Sequence, residues 1–295
     1  MQNQMNNIRP YCIICGGQKS KRVFNEFGVD ILKCEGCGHV YSSYQADQHY
    51  DGYFDQQALE GQDQFWWDEA HRGMYHDFCR RFIANEAGKL LDVGCGLGFF
   101  VKYMQGYPDW DAWGSEISGK AVDYATHKLG LTNVCAGKLE EAGFQPNSFD
   151  IVTLWDVIEH IPDPDQLIKA IIPLLKPGGI LFLHTPNVNV QLPKARLKKL
   201  LKGMNPGVHY LEAKDHVNIY SAKTISCVLT RNGLEVSEFV HLRPVHSVSG
   251  SKSVVMSAIK YLWAFLAAII YAISFKQIHI GNLFIVARKR VDIEY

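Results

Sequence analysis

Apolar positions between Lys89 and Ala287 switch between two periods. Short runs rich in Leu, Val and Ile predict strands at Lys89–Val93, Ala112–Glu116, Asn133–Ala136, Asp150–Trp155, Gly179–Thr185, Leu234–Val240 and Asn282–Ala287. Helical spacing predicts Phe99–Gln105, Gly119–Leu129, Asp165–Leu175 and Ala222–Asn232 between them, with Lys176-Pro177-Gly178-Gly179 ending the third. Strands alternating with helices specify an α/β fold with a doubly wound, mostly parallel sheet.

Two segments interrupt that alternation. The excursion 186–221 contains a basic amphipathic helix over 193–204, in which Leu197, Leu200, Leu201 and Met204 fall at i, i+3, i+4 and i+7. Five positive charges and no acid lie between Pro193 and Lys202, so this helix is either a solvated face or a contact for an anionic substrate or membrane surface. Val254–Phe275 is a 22-residue hydrophobic helix whose single charge is Lys260. The strands on either side of it should pair in one sheet, which argues against a membrane span. A buried core or homodimer contact, or a helix lying in the membrane interface, satisfies that constraint.

Ahead of the alternation lie two further segments. Residues 1–45 carry Cys12 and Cys15, then Cys34 and Cys37 after eighteen intervening residues, each pair next to glycine. This spacing predicts a zinc ribbon with four thiolates around one structural Zn²⁺, and four unrelated thiols or a redox pair as the rival. So short a head should owe its folding energy to the metal. Residues 46–88 form a helical, aromatic-rich connector (Tyr50, Tyr53, Phe54, Phe65, Trp66, Trp67, His71, Tyr75, His76, Phe78) that either packs the head onto the main domain or forms a lid. The main domain is then 89–295.

Composition adds exclusions. Lys plus Arg and Asp plus Glu number 30 each, so no basic excess announces a nucleic-acid partner. The opening MQNQMNNIRP lacks the apolar core of a secretory signal, and the remaining cysteines (Cys79, Cys95, Cys135, Cys227) are scattered. A cytoplasmic setting, with or without membrane association, is expected.

The chemistry gathers at Leu90-Leu91-Asp92-Val93-Gly94-Cys95-Gly96-Leu97-Gly98. A buried strand enters a glycine loop and then a helix, so a ligand can approach the backbone closely. The Gly-x-Gly-x-Gly spacing differs from the Gly-x-Gly-x-x-Gly of pyrophosphate sites. Glu116, at the end of the second strand, can accept from both hydroxyls of a ribose.

These residues resemble the class I S-adenosylmethionine-dependent methyltransferases, as do SFDIVTLWDVIEHIPDP, LLKPGGILFLHTPN and HVNIYSAKTISCVLTRNGLEV, and as does the zinc-knuckle head. The resemblance implies a Rossmann-like seven-stranded sheet with its last strand antiparallel. It also implies S-adenosylmethionine as cofactor, bound by Asp92, Gly94, Gly96, Gly98 and Glu116. The Leu139 backbone would meet the adenine, and Lys138 stands where many relatives carry an acid. Trp155 and Asp156 would lie near the sulfonium, where an aromatic face favours the cation by ~1 kcal/mol. His160 is the first candidate for a general base, with Asp156 and His184 beside it and His209, Tyr210 and His216 behind. Asp156 and Glu159 could also hold an auxiliary metal. The expected acceptor is a small molecule of sugar, lipid-linked or secondary-metabolite type. An RNA methyltransferase and a non-catalytic cofactor-binding scaffold are the alternatives.

Overall fold

The computed structural model describes residues 11–44, 68–206, 208–245 and 253–290. Most of the connector, including the expected aromatics from Tyr50 to Trp67, lies outside the described residues.

Seven strands form the central sheet: β4 (Gly88–Val93), β5 (Trp110–Glu116), β6 (Val134–Ala136), β7 (Phe149–Trp155), β8 (Leu175–Thr185), β10 (Leu234–Val240) and β11 (Leu283–Lys289), in the order β10-β11-β8-β7-β4-β5-β6. All neighbouring pairs from β8 to β6 are parallel, and β11 runs antiparallel to both β8 and β10. This is the Rossmann-like arrangement expected, last strand included.

Alternation along the strands divides the core. Leu91, Leu154, Leu181 and Leu183 pack beneath α4 (Pro164–Ile171) and α6 (Ala222–Arg231) on one face. Leu90, Ile151, Trp155, Phe182 and Phe284 pack under α1 (Arg72–Phe82) and α2 (Phe99–Met104) on the other. The remaining helices are α3 (Gly119–His127), α5 (Val188–Lys202) and α7 (Ser253–Ile273).

Sequence and structure part at several points. The third predicted helix ends at Ile171, because Ile172–Leu174 tightens into a 3-10 turn and β8 begins at Leu175, paired with Phe149. Lys176-Pro177-Gly178-Gly179 therefore lies inside β8, where the register shifts and Lys176 Nζ reaches Asp150 at 2.8 Å. The predicted stripe is split: Met204 packs against the head's core, and the three leucines turn outward. Val188 and Ala195 are buried, whereas Leu197, Leu200 and Leu201 are exposed.

The N-terminal head is built from β1 (Ser20–Glu26), β2 (Val29–Cys34) and β3 (Val40–Ser42). Its sheet does not stop there: β9 (Asn218–Ile219), from the far end of the excursion, pairs with β3. Phe24, Val29, Ile31 and Val40 share a core with Val188, Tyr210, Leu211 and Ile219, so the head's apolar packing comes largely from residues more than 140 positions away. The expectation that the metal alone would fold this segment is corrected accordingly. Arg231 adds a clamp, donating to the carbonyls of Ile13 and Ile14 and to Asp165.

Candidate functional site

The sheet's parallel strands end around a cavity of ≈ 310 Å³, lined by residues from the β4, β5 and β7 termini, the Gly137–Glu140 loop, the start of α4, and His71 and Tyr75 at α1. Open α/β sheets bind ligands at this edge.

Gly94, Cys95 and Gly96 follow β4, with φ of +69° at Gly94 and +54° at Gly96. A Cβ on Gly94 would come within 2.7 Å of Val157, so glycine is required for packing as well as for backbone conformation. Glu116 braces the loop, one carboxylate oxygen accepting from Gly96 N–H and the other from Ser118 N–H, both at 2.9 Å. Asp92 is buried and accepts from Thr153 Oγ1 at 2.7 Å. Burial, reinforced by the charge of Glu116 and opposed by the Thr153 hydrogen bond, pushes the Asp92 carboxyl up to about 8. Burial likewise raises Glu116, against the pull of its backbone donors. Two buried carboxyls on one wall suit a cationic ligand.

Gly98 is not in that wall. With φ +83° it caps α2, and a Cβ there would meet Leu131 at 2.7 Å and Ala125 at 3.0 Å. Its place is the close packing of α2 against α3, whereas the resemblance put it at the cofactor. Leu139 is buried in the 3-10 turn Leu139–Glu141 and lines the cavity with Lys138. Trp155 lines it too, its ring packed edge-on against Tyr75, Phe78 and Phe100, and its indole N–H has no hydrogen-bond partner among the described residues.

At the end of β7, Asp156 sits at φ +53°, a left-handed conformation uncommon outside glycine. His184 Nδ1 approaches its Oδ1 at 2.9 Å and His71 Nε2 its Oδ2 at 3.5 Å. The His184 contact is a close approach, not an aligned hydrogen bond. Burial would raise the Asp156 carboxyl, but His184 and then His71 outweigh it and hold the group well below the carboxylate range. Asn282 donates to His184 Nε2 at 3.1 Å, which leaves the ring proton on Nδ1, facing Asp156. His184 is buried behind Asp156 and does not reach the cavity, contrary to a direct catalytic part.

His160 does line the cavity. Its Nδ1 lies 3.0 Å from the Asp215 carbonyl, which can only accept, so Nδ1 carries a proton. The His216 ring packs edge-on at 4.8 Å. Behind them Glu159 is buried, accepting from Thr185 Oγ1 with one oxygen, while Oε1 has no hydrogen-bond partner among the described residues. Burial and the nearby Asp156 charge hold its carboxyl well above the usual range. Ligand atoms of Glu159, His160 and His216 lie within 4.8 Å of one another, an arrangement able to hold a cation, with His216 in place of the expected Asp156. Of the other candidates, the His209 side chain is 86% exposed, and Tyr210 is buried in the head's core, donating to the Gly203 carbonyl. His71 and Tyr75, named above among the connector residues that pack the head or form a lid, line the cavity wall.

Away from the cavity, Cys12, Cys15, Cys34 and Cys37 converge, their sulfurs within 4.8 Å of one another and 3.5 Å apart for Cys12–Cys37 and Cys15–Cys34. Tetrahedral Zn–S bonds of about 2.3 Å set sulfurs about 3.8 Å apart, so the group fits a structural zinc ion. Backbone turns at Gly16 (φ +69°) and Gly38 (φ +80°) close the two knuckles.

The chain matches the family model described as "Methyltransferase domain" over residues 66–238. It is 32% identical over 133 residues to a ubiquinone biosynthesis O-methyltransferase of Neisseria meningitidis serogroup A, spanning 41% of this chain and 55% of that one. The corresponding Bordetella avium enzyme is 31% identical over 177 residues, 56% of this chain and 72% of its own. The chain thus spans about half the length of several curated relatives it matches. Haemonchus contortus phosphoethanolamine N-methyltransferase 2, solved with S-adenosyl-L-methionine, shares the fold with a TM-score of 0.55 at 17% identity, over 85% of this chain and 63% of that one. Family match, sheet topology and glycine loop agree, and the chain belongs to the methyltransferase-domain family, whose cofactor is S-adenosylmethionine.

Proposed function

We propose that the chain transfers a methyl group from S-adenosylmethionine to a hydroxyl of a small-molecule acceptor. Asp92 and Glu116 suit the ligand's ammonium and ribose, Gly94 and Gly96 admit it against the backbone, and Leu139 and Trp155 flank it. When bound, S-adenosylmethionine supplies an electrophilic methyl group. The observation that carries the reading is His160 on the cavity wall, its Nδ1 turned 3.0 Å from the Asp215 carbonyl, an orientation that in the neutral ring would make Nε2 the proton acceptor.

A hydroxyl is a poor nucleophile until its proton departs, so an oxygen acceptor calls for a base at this point. His160 takes that proton as the oxygen–carbon bond forms and the carbon–sulfur bond breaks. Asp156, kept ionised by His184 and His71, holds the acceptor and stabilises the imidazolium that results. Its left-handed backbone and two histidine partners fix its direction. The names of the relatives support an oxygen acceptor, and the overall charge balance argues against nucleic acid.

The test is turnover of labelled S-adenosylmethionine with a panel of phenolic and sugar hydroxyl acceptors. His160→Gln should lower kcat about 10²–10⁴-fold while leaving S-adenosylmethionine affinity unchanged. Equal kcat in wild type and variant, or no affinity for S-adenosylmethionine by calorimetry, overturns the proposal.

A further inference from the structure

Helix α7 is folded inside out. Its only charged residue, Lys260, turns toward the protein and donates to the Val245 carbonyl at 3.2 Å, on the same side as buried Ala267 and Tyr271. The outward side is apolar: Val254 is 76% exposed, Leu262 60%, Phe265 63% and Ile273 70%. A helix facing water has the opposite polarity, and a contiguous exposed apolar face marks an interaction surface.

A second helix repeats the pattern beside it. Leu197, Leu200 and Leu201 of α5 point outward at 56%, 81% and 72% exposure, among exposed Lys194, Lys199 and Lys202. The helices are neighbours: Asn187 at the start of α5 donates to the carbonyls of His279 and Gly281 just beyond α7, and Lys194 is close enough to Lys260 for their charges to repel.

We propose that α7 and α5 together form an in-plane docking surface for a bilayer containing anionic phospholipid. Among the described residues no helix is long and apolar enough to cross a membrane. The strands flanking α7 pair with each other in one sheet, so the helix leaves and re-enters the domain on one side and lies flat. The apolar face enters the headgroup boundary while the lysines of α5 meet lipid phosphates. Charge decides against a second copy of the chain. The Pro193–Lys202 stretch carries five cations and no acid, so a two-fold pairing that set α5 against α5 would oppose like charges that anionic lipid neutralises.

The experiment is co-sedimentation of the full chain with vesicles of phosphatidylcholine alone and of phosphatidylcholine mixed with phosphatidylglycerol. The wild type should sediment with the mixed vesicles and only weakly with phosphatidylcholine. Leu262→Glu/Phe265→Glu and Lys194→Glu/Lys202→Glu should each weaken partitioning about tenfold or more, with S-adenosylmethionine binding retained as evidence of folding. No sedimentation of the wild type overturns the proposal, as do equal sedimentation with both vesicle types and indifference to both variants. Light scattering that finds a dimer dissociated by Leu262→Glu/Phe265→Glu would put a second copy on this surface and overturn it as well.

Discussion

Asp92 and Glu116 are both buried at the cavity, and this governs how it responds to pH. An acid raised by burial to about 8, against an ordinary value near 4, carries a proton in the folded chain where the unfolded chain has lost it. Its contribution therefore favours the fold at low pH and is lost as pH rises from about 4 toward 8. The unliganded protein should lose stability over that window, and Asp92→Asn should flatten the slope in denaturant titrations. A cationic ligand favours the carboxylate, so S-adenosylmethionine binding at pH 7 should release close to one proton. Calorimetry in two buffers of different ionisation enthalpy reads that directly. Glu116 holds Gly96 and Ser118 by charge-assisted hydrogen bonds, each worth about 1.5–3 kcal/mol. Glu116→Ala should weaken S-adenosylmethionine binding about 100-fold; unchanged affinity would remove Glu116 from the site.

Elements turn on local backbone and on what each helix leans against. Gly98→Ala forces a side chain into the left-handed region and against Leu131 and Ala125, so it should cost about 2–4 kcal/mol in chemical denaturation. A change below about 0.5 kcal/mol would mean that α2 and α3 are less tightly joined. The strand–loop–helix unit from Leu90 to Met104 was legible because its signals are local: an apolar run, the glycine spacing, then helical periodicity. The outward turn of Leu197, Leu200 and Leu201 was not. Periodicity finds a stripe, and only the position of the head's core, against Val188 and Ala195, says which side of α5 is inside.

Across the whole molecule, the zinc-ribbon head and the cavity belong to one packed body. Cys12, Ile14, Cys34 and Tyr41 lie in the same core as Leu91, Leu154 and Leu183. Cys34→Ser, or chelation, should therefore shift a single thermal transition downward by several degrees instead of releasing the head as a separate unfolding step. Calorimetric scans with metal analysis read both quantities, and two resolved transitions would mean the head folds alone.

The sequence by itself determined the order of strands and helices in the main sheet, the four thiolates, the glycine loop and the acid of β5, because each is carried by residues close together in the chain. Tertiary structure alone decided the rest. It brought β9 to the ribbon, set His184 and His71 on either side of Asp156, gave His160 the Asp215 carbonyl, and turned the apolar face of α7 outward. These depend on contacts between residues tens to more than a hundred positions apart, and no local pattern carries the information for a contact that only the closed chain makes.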